Sequence, residues 1–172
     1  GKGEKGRAVH LPTKDFLWSK ANDKKHNTIK EATRHYLACV SQSDACLGRI
    51  MEVLNSSAYK DNTIVVIVGD HGWHLGEHAI WGKHSLFEES LRSPLIIVDP
   101  VIQKPGVITN SIVETIDLFP TLCDLVDLKK PDFLDGSSLL PILEDPKAAS
   151  DDTAISYNGK ANTIRTATHR LI

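Results

Sequence analysis

The sequence predicts an α/β fold in which helices cover a mostly parallel sheet, followed by the start of a small C-terminal antiparallel β subdomain. A long helical pattern comes first, and two continuous apolar runs rich in β-branched residues follow it at 63–68 and 95–98. Such runs are typical of strands that are covered on both faces, as they are in parallel sheets. After residue 150 the pattern changes to short alternating segments, which favour antiparallel strands.

The helical pattern occupies the residues before the first apolar run. Thr28 and Glu31 fit a capping box, in which a hydroxyl and a glutamate three residues later satisfy backbone N–H groups at the helix start. Apolar positions then recur with the helical period from Ala32 to Leu54. Asn55 begins a polar stretch, so the predicted helix covers about residues 28 to 55.

Shorter elements follow the second apolar run. Residues 111–127 have helical spacing, but Pro120 lies among them, and proline suits the first turn of a helix. We therefore expect a helix that begins near Pro120, with Asp117 as a cap or loop brace. A loop at 131–138 and a short apolar patch at 139–143 come next.

The last residues predict three short strands, at 153–157, 162–166 and 169–172, which are separated by polar turns. We therefore expect two parts in this chain. Residues 1–150 are predicted to be the C-terminal part of an α/β domain, and residues 151–172 the start of a β subdomain that continues in a longer protein.

The composition excludes several classes of protein. Of the 172 residues, 41% are hydrophobic and the net charge is −2, which suits a folded globular domain. No apolar run approaches the ~20 residues of a membrane-spanning helix, and no motif that reads nucleic-acid bases occurs. Neither a membrane nor a nucleic acid is therefore predicted as a partner. The lysine-rich residues 1–27 predict an irregular loop, which either attracts an anionic partner or is simply solvated.

The three cysteines predict no disulfide framework. Cys39 and Cys46 lie on one predicted helix, where their spacing separates them by ~10 Å, and this is too far for a disulfide. We expect these two and Cys123 to be packing residues.

Two polar residues stand where the first predicted strand ends. Asp70 and His71 lie between Gly69 and Gly72, and glycine on both sides lets the backbone turn tightly. In open α/β sheets, ligand sites form at the carboxyl ends of strands, and a carboxylate beside an imidazole suits a metal ion. The alternative is a hydrogen-bonded Asp-His turn without a ligand.

The residues after this turn carry a more specific pattern. The stretch Gly69 to His78 reads Gly-Asp-His-Gly-Trp-His-Leu-Gly-Glu-His, and it continues through Trp-Gly-Lys-His-Ser at 81–85 to Arg92 and Pro94. This block resembles the sulfatase family of the alkaline phosphatase superfamily, most of all its iduronate-2-sulfatase-like branch. The resemblance extends over residues 28–172, with further similar motifs at 36–48, 61–63, 117–122 and 135–139.

The resemblance implies an alkaline-phosphatase-like sandwich and a hydrolase that acts on sulfate esters of a sugar or glycosaminoglycan. It also implies a periplasmic, secreted or lysosomal location. Asp70 and His71 match the family's second acidic-plus-Asn/His pair, which binds Ca²⁺, and Lys83 matches the lysine that contacts the sulfate group. The family's nucleophile is a formylglycine, made from the cysteine of a Cys-x-Pro/Ala-x-Arg motif.

This sequence departs from the family at the nucleophile. None of Cys39, Cys46 and Cys123 begins the modification motif, and the family's N-terminal aspartate pair is also missing. We therefore expect a C-terminal part of a sulfatase that needs the N-terminal part of the catalytic domain and is inactive alone. Two ligands are too few to hold calcium firmly, because calcium takes ~6–8 oxygen ligands.

Aromatic and histidine side chains flank the turn. Trp73 and Trp81 either wall a sugar-binding pocket or pack the loop, and His74 either contacts the substrate or hydrogen-bonds within the loop. His78 follows His74 at the spacing of a helical zinc pair, but the glycines at 72 and 76 argue against a helix. Nearby, Glu88 and Arg92 have the spacing of a helical ion pair.

Two other functions stay open at this point. Because zinc accepts imidazole readily, His71 is compatible with a metal-dependent phosphatase or phosphodiesterase of the same superfamily. A non-catalytic binding module derived from a sulfatase is the other possibility.

Overall fold

A computed structural model of the chain describes residues 28–102, 106–148 and 153–172. Among these, residues 28–53 and 73–83 belong to one compact unit, and the other described residues belong to a second unit. The irregular loop predicted at 1–27 lies outside the described residues. No helix in the described ranges combines the length and apolar character that crossing a bilayer requires.

The long helix α1 spans Thr28–Asn55, as the sequence predicts. It ends at a turn in which the Ser57 amide donates to the Leu54 carbonyl at 2.9 Å. Much of its apolar face is exposed, including 55% of Leu37 and 73% of Val53. All three cysteines are free thiols. Cys123 is buried, as expected of a packing residue, whereas Cys39 is exposed, so that expectation is wrong for Cys39.

The two apolar runs form strands β1 (Val65–Val68) and β4 (Leu95–Val98). They pair with each other in antiparallel register, with Val65 opposite Val98. The two strands are confirmed, but the expectation of a parallel arrangement is wrong for this pair. Their side chains are also less covered than the runs predicted, since 46% of Val98 is exposed.

The connection between these strands explains their direction. It carries a hairpin, in which β2 (His74–Leu75) pairs with β3 (Trp81–Gly82), and a 3-10 turn at Glu77–Ala79 joins the two. Helix α2 (Glu88–Leu91) follows and has only four residues. Parallel strands need a crossover, usually a longer helix, and this connection has none among its described elements.

The following segment contains two short helices. A 3-10 turn at Thr115–Asp117 leads into α3 (Leu118–Leu125), so Pro120 lies in the first helical turn, close to where the sequence places the start. The predicted apolar patch forms α4 (Leu140–Glu144). The buried apolar side chains of the described residues include Leu86, Pro120, Cys123, Leu139 and Ile142.

Asp117 braces this segment, as predicted. Its side chain is buried, its Oδ2 accepts the Glu114 amide at 2.7 Å, and its Oδ1 accepts the Ser137 amide at 2.8 Å. The hydroxyl of Thr121 donates to the Asp117 carbonyl at 2.6 Å and accepts the Leu139 amide at 2.8 Å. The carboxylate therefore ties the loop before α4 to the start of α3.

Asp117→Ala is expected to lower the free energy of unfolding by about 3 kcal/mol, because two partly buried backbone N–H groups lose a charged acceptor. Urea titration measures this difference. Asp117→Asn, which keeps one acceptor oxygen, should recover part of the loss. The exposed Asp132 lies in the same segment, and Asp132→Ala serves as the control; equal midpoints for the two alanine variants would contradict the brace.

The C-terminal residues form a three-stranded antiparallel sheet of β5 (Thr153–Asn158), β6 (Ala161–Thr166) and β7 (Arg170–Leu171). The predicted three short strands are thus confirmed. Ile155 anchors the sheet to the preceding segment, because its amide donates to Glu114 Oε1 at 2.8 Å.

Candidate active site

The loop Gly69–Gly72 leaves β1 and is held at both ends by the segment around α2. The Gly69 amide donates to the Pro94 carbonyl at 2.9 Å, and the Gly72 amide donates to the Ser90 carbonyl at 2.7 Å. At Gly72 an added Cβ would lie 2.1 Å from the Glu89 carbonyl oxygen. Glycine is therefore required at this position by close backbone contact rather than by an unusual φ.

Asp70 and His71 are presented side by side by this loop. The Asp70 side chain is 85% exposed, and its Oδ2 lies 3.3 Å from His71 Nε2. His71 Nδ1 lies 2.8 Å from the Gly72 carbonyl oxygen. A carbonyl only accepts, so His71 Nδ1 donates to it, and Nε2 is the ring nitrogen that faces the carboxylate.

A carboxylate and an imidazole nitrogen side by side are groups that can bind a cation. A carboxylate oxygen is a preferred ligand of Ca²⁺, and an imidazole with its Nδ1–H held by a carbonyl is the usual form of a metal-ligating histidine. The described residues contain no cluster of three or more His, Cys, Asp or Glu side chains arranged for a metal ion. The pair supplies two possible ligands, and its part in a metal site stays a prediction.

The other predicted site residues lie on the hairpin of the first unit. His74 in β2 is fully buried, and Trp73 and Trp81 are half-buried. Lys83 follows β3 directly and is also half-buried. The full burial of His74 favours the alternative in which it supports the loop rather than the one in which it contacts substrate.

The hairpin turn has a tight backbone. The Trp81 indole lies 3.6 Å from the position of an added Gly76 Cβ, and Gly76 has φ of +122°. His78 has φ of 54° and ψ of 23°, so the segment is not an α-helix and the helical zinc pair does not form. The ring centroids of His74 and His78 are 6.0 Å apart in an edge-to-face arrangement.

Glu77 stabilises this turn through its carboxylate. Its Oε2 accepts the Leu75 amide at 2.6 Å. Hydrogen bonds from the backbone N–H of Glu77 itself and of Leu75 hold the pKa of the Glu77 carboxyl below its ordinary value. Glu77 is therefore ionised at neutral pH and acts as a local anchor of the hairpin.

The structure brings Asp70 and His71 into contact, whereas Trp73, His74, Trp81 and Lys83 belong to the other compact unit. The approach of the Lys83 amine to the Asp70–His71 pair therefore stays a prediction.

The predicted ion pair between Glu88 and Arg92 is wrong. Arg92 is exposed and has φ of −82° and ψ of 89° as the C-cap of α2, so it has left the helical path by the fourth residue. Glu88 Oε1 instead accepts from Arg165 Nε at 2.7 Å and from Arg170 Nε at 3.2 Å. Sequence spacing gave no signal for these contacts, because the partners are 77 and 82 residues away.

The ion pairs decide the ionisation of Glu88. Burial by itself would raise the pKa of the Glu88 carboxyl, but hydrogen bonds and charge from Arg170 and Arg165 outweigh it and leave the pKa below its ordinary value. Glu88 is therefore an anion at neutral pH and can bind both guanidinium groups.

A protein-family model described as Sulfatase matches residues 8–128. The N-acetylglucosamine-6-O-sulfatase of Bacteroides thetaiotaomicron is 39% identical over 111 residues, which cover 64% of this chain and 20% of that protein. The chain spans between 20% and 31% of the length of this and the other curated relatives that it matches.

Solved structures of related hydrolases also superpose on this chain. The phosphonate monoester hydrolase from Silicibacter pomeroyi superposes with a TM-score of 0.75 at 30% identity, over 83% of this chain and 32% of that one. A protein solved in complex with its substrate D-glucosamine-2-N,6-O-disulfate superposes with a TM-score of 0.74 at 31% identity, over 88% of this chain and 34% of that one. The predicted α/β class of the alkaline-phosphatase-like type, with its C-terminal antiparallel sheet, is confirmed, and the chain belongs to the sulfatase family of the alkaline phosphatase superfamily.

Proposed function

We propose that the full-length protein containing this chain hydrolyses sulfate esters of a saccharide, and that this chain contributes one side of the active site. The supporting observation is the Asp70–His71 pair, in which an exposed carboxylate lies 3.3 Å from the imidazole Nε2 at the end of β1. Membership of the sulfatase family supports the reaction class. The iduronate-2-sulfatase-like branch is part of the same proposal.

Asp70 and His71 would hold a divalent cation, for which we propose Ca²⁺ on account of the carboxylate. When bound, the cation would neutralise charge on the sulfate oxygens. This chain's own contribution is to orient the pair. The hydrogen bond from His71 Nδ1 fixes the ring, and the amides of Gly69 and Gly72 fix the loop.

Lys83 is proposed to bind a sulfate oxygen with its ammonium group, since a compact charge on a flexible stem can follow the oxygens as the sulfur inverts. Trp73 and Trp81 are proposed to wall the saccharide pocket, because aromatic side chains offer flat apolar area. Of the two roles that the sequence leaves open for His74, substrate contact and support of the loop, its complete burial favours the second.

The nucleophile is proposed to come from outside this chain. None of Cys39, Cys46 and Cys123 begins a formylglycine motif, and Cys123 is buried. On this proposal the isolated chain is inactive, residues 1–150 complete a catalytic domain with an N-terminal part, and residues 151–172 begin a β subdomain. A periplasmic, secreted or lysosomal location follows from the same family proposal.

A second candidate is the hydrolysis of phosphate or phosphonate esters. The superposition on a phosphonate monoester hydrolase, with a TM-score of 0.75, favours this alternative. In both reactions a bound cation would neutralise charge on a tetrahedral anion, so the Asp70–His71 pair does not separate them.

Purified full-length protein should distinguish the candidates. We expect higher kcat/KM for a 6-O-sulfated glucosamine and for an aryl sulfate than for the matched aryl phosphate and phenyl phosphonate monoester. A preference for the phosphonate would overturn the sulfatase assignment in favour of the second candidate. Binding of the sulfated saccharide without turnover of any ester would indicate a non-catalytic module.

A further inference from the structure

Two arginines of the C-terminal sheet converge on one carboxylate in α2. Arg165 in β6 and Arg170 in β7 lie opposite each other in the antiparallel ladder. Both donate to Oε1 of Glu88, Arg165 through Nε at 2.7 Å and Arg170 through Nη2 at 2.5 Å. Charge-assisted hydrogen bonds of this kind are about twice as strong as neutral ones, so the contact fixes Glu88 firmly.

Arg170 is itself held by its surroundings. Only 15% of its side chain is exposed. Its Nη1 donates to Thr163 Oγ1 at 3.1 Å and lies 3.4 Å from the Leu86 carbonyl. The hydroxyl of the buried Thr163 donates in turn to the Leu171 carbonyl at 2.7 Å. The guanidinium is therefore oriented by the sheet before it reaches Glu88.

The opposite end of α2 contacts the Asp70–His71 loop. The Ser90 carbonyl accepts the Gly72 amide at 2.7 Å, and the Glu89 carbonyl lies against the Gly72 backbone. The Ser90 hydroxyl lies 2.8 Å from that of Ser85 and is buried. A continuous series of contacts thus runs from β7 through Glu88 and Ser90 to the residue beside His71.

We infer that Arg165 and Arg170 are positioning residues for the Asp70–His71 pair, acting through Glu88 and α2. A helix of one turn has almost no stability of its own, since isolated helices shorter than ~12–15 residues are marginal in water. Its orientation must therefore come from tertiary anchors at its two ends. The sheet supplies the anchor at Glu88, and the loop that presents the cation ligands rests on the other end.

Hydrogen exchange of the Gly72 amide in the full-length protein tests this directly. In Arg170→Met and in Glu88→Gln, exchange at Gly72 should accelerate by about tenfold or more, as expected when a charge-assisted hydrogen bond is lost. Lys160 lies exposed in the turn of the same sheet, and Lys160→Met is the matched control that should leave Gly72 unchanged. Methionine preserves the length and apolar stem of either side chain.

The amide of Leu139, bonded to the buried Thr121 hydroxyl at 2.8 Å, reports on the stability of the same unit away from the loop. Selective acceleration at Gly72, with Leu139 unchanged or less affected, supports the inference. Unchanged exchange at Gly72, or equal acceleration at both amides, overturns it, because the arginines then either do not act on the loop or stabilise the whole unit without preference. Arg170→Lys should restore part of the protection.

The role of these contacts in catalysis rests on the proposed function. A calcium titration distinguishes a failure of the positioning role from a failure of the proposed function. Arg170→Met should weaken Ca²⁺ binding by about tenfold, as for other groups that orient a metal ligand, while Lys160→Met should not. Loss of affinity in Asp70→Asn but not in Arg170→Met would overturn the positioning role alone. Unchanged affinity in Asp70→Asn would overturn the metal assignment, whereas the exchange result at Gly72 would still decide whether the sheet holds the loop.

Discussion

Asp70→Asn in the full-length protein is expected to lower kcat/KM for a sulfate ester by about a hundredfold or more, the loss typical when one preorganised charge-stabilising contact is removed. The carboxylate is 85% exposed and faces His71 Nε2 at 3.3 Å. An amide of the same size keeps the geometry but removes the negative charge that a cation requires. Calcium titration should show weaker binding in parallel with the loss of activity.

Asp61→Asn provides the control for this variant. Asp61 is comparably exposed, at 87%, and its Oδ2 lies 3.9 Å from Lys60 Nζ. We expect the activity and the calcium affinity of Asp61→Asn to match those of the parent protein. Because Asp70 is so exposed, its substitution should leave the unfolding midpoint unchanged. Full activity of Asp70→Asn at limiting calcium would refute the assignment of Asp70 as a ligand.

Lys83→Ala should lower kcat by about a hundredfold or more, because the ammonium group is proposed to stabilise charge on the sulfate oxygens that grows in the transition state. The same substitution should weaken inhibition by inorganic sulfate, which offers the same oxygens without the saccharide. Steady-state kinetics with added sulfate measure both effects in one set of experiments.

Lys60→Ala is the matched control for Lys83, since 53% of its side chain is exposed in the turn before β1. It should change neither turnover nor sulfate inhibition. If Lys83→Ala retained parental kcat and sulfate inhibition while folding normally, the lysine would have no part in binding the anion. Lys83→Arg is a stricter test, because a planar guanidinium does not reproduce a compact ammonium charge.

The sequence was sufficient to place most elements. Periodicity gave α1 from 28 to 55 and the second strand at 95–98, both as observed. It could not give the direction of the strands, because an apolar run has the same composition whichever way its neighbour points. Direction depended on the connection at 69–94, where short elements replace a crossover helix.

The candidate site was predictable only where its residues are neighbours in the sequence. Asp70 and His71 are adjacent, and the glycines around them indicated an exposed turn. Helical spacing predicts an ion pair for Glu88 but with the wrong partner, because that spacing assumes that the helix continues to Arg92. Its true partners are brought to it by the C-terminal sheet, and no local pattern encodes contacts over 77 residues.

The absence of a side chain at position 72 has a consequence for redesign of this loop. A methyl group there would meet a backbone carbonyl at 2.1 Å, whereas at position 69 it would meet the Pro94 ring at 2.8 Å. A saturation library across the turn should therefore return glycine alone at 72, with small residues surviving occasionally at 69. Selection for new ester substrates should likewise keep Glu77, because its carboxylate accepts the Leu75 amide and anchors the hairpin.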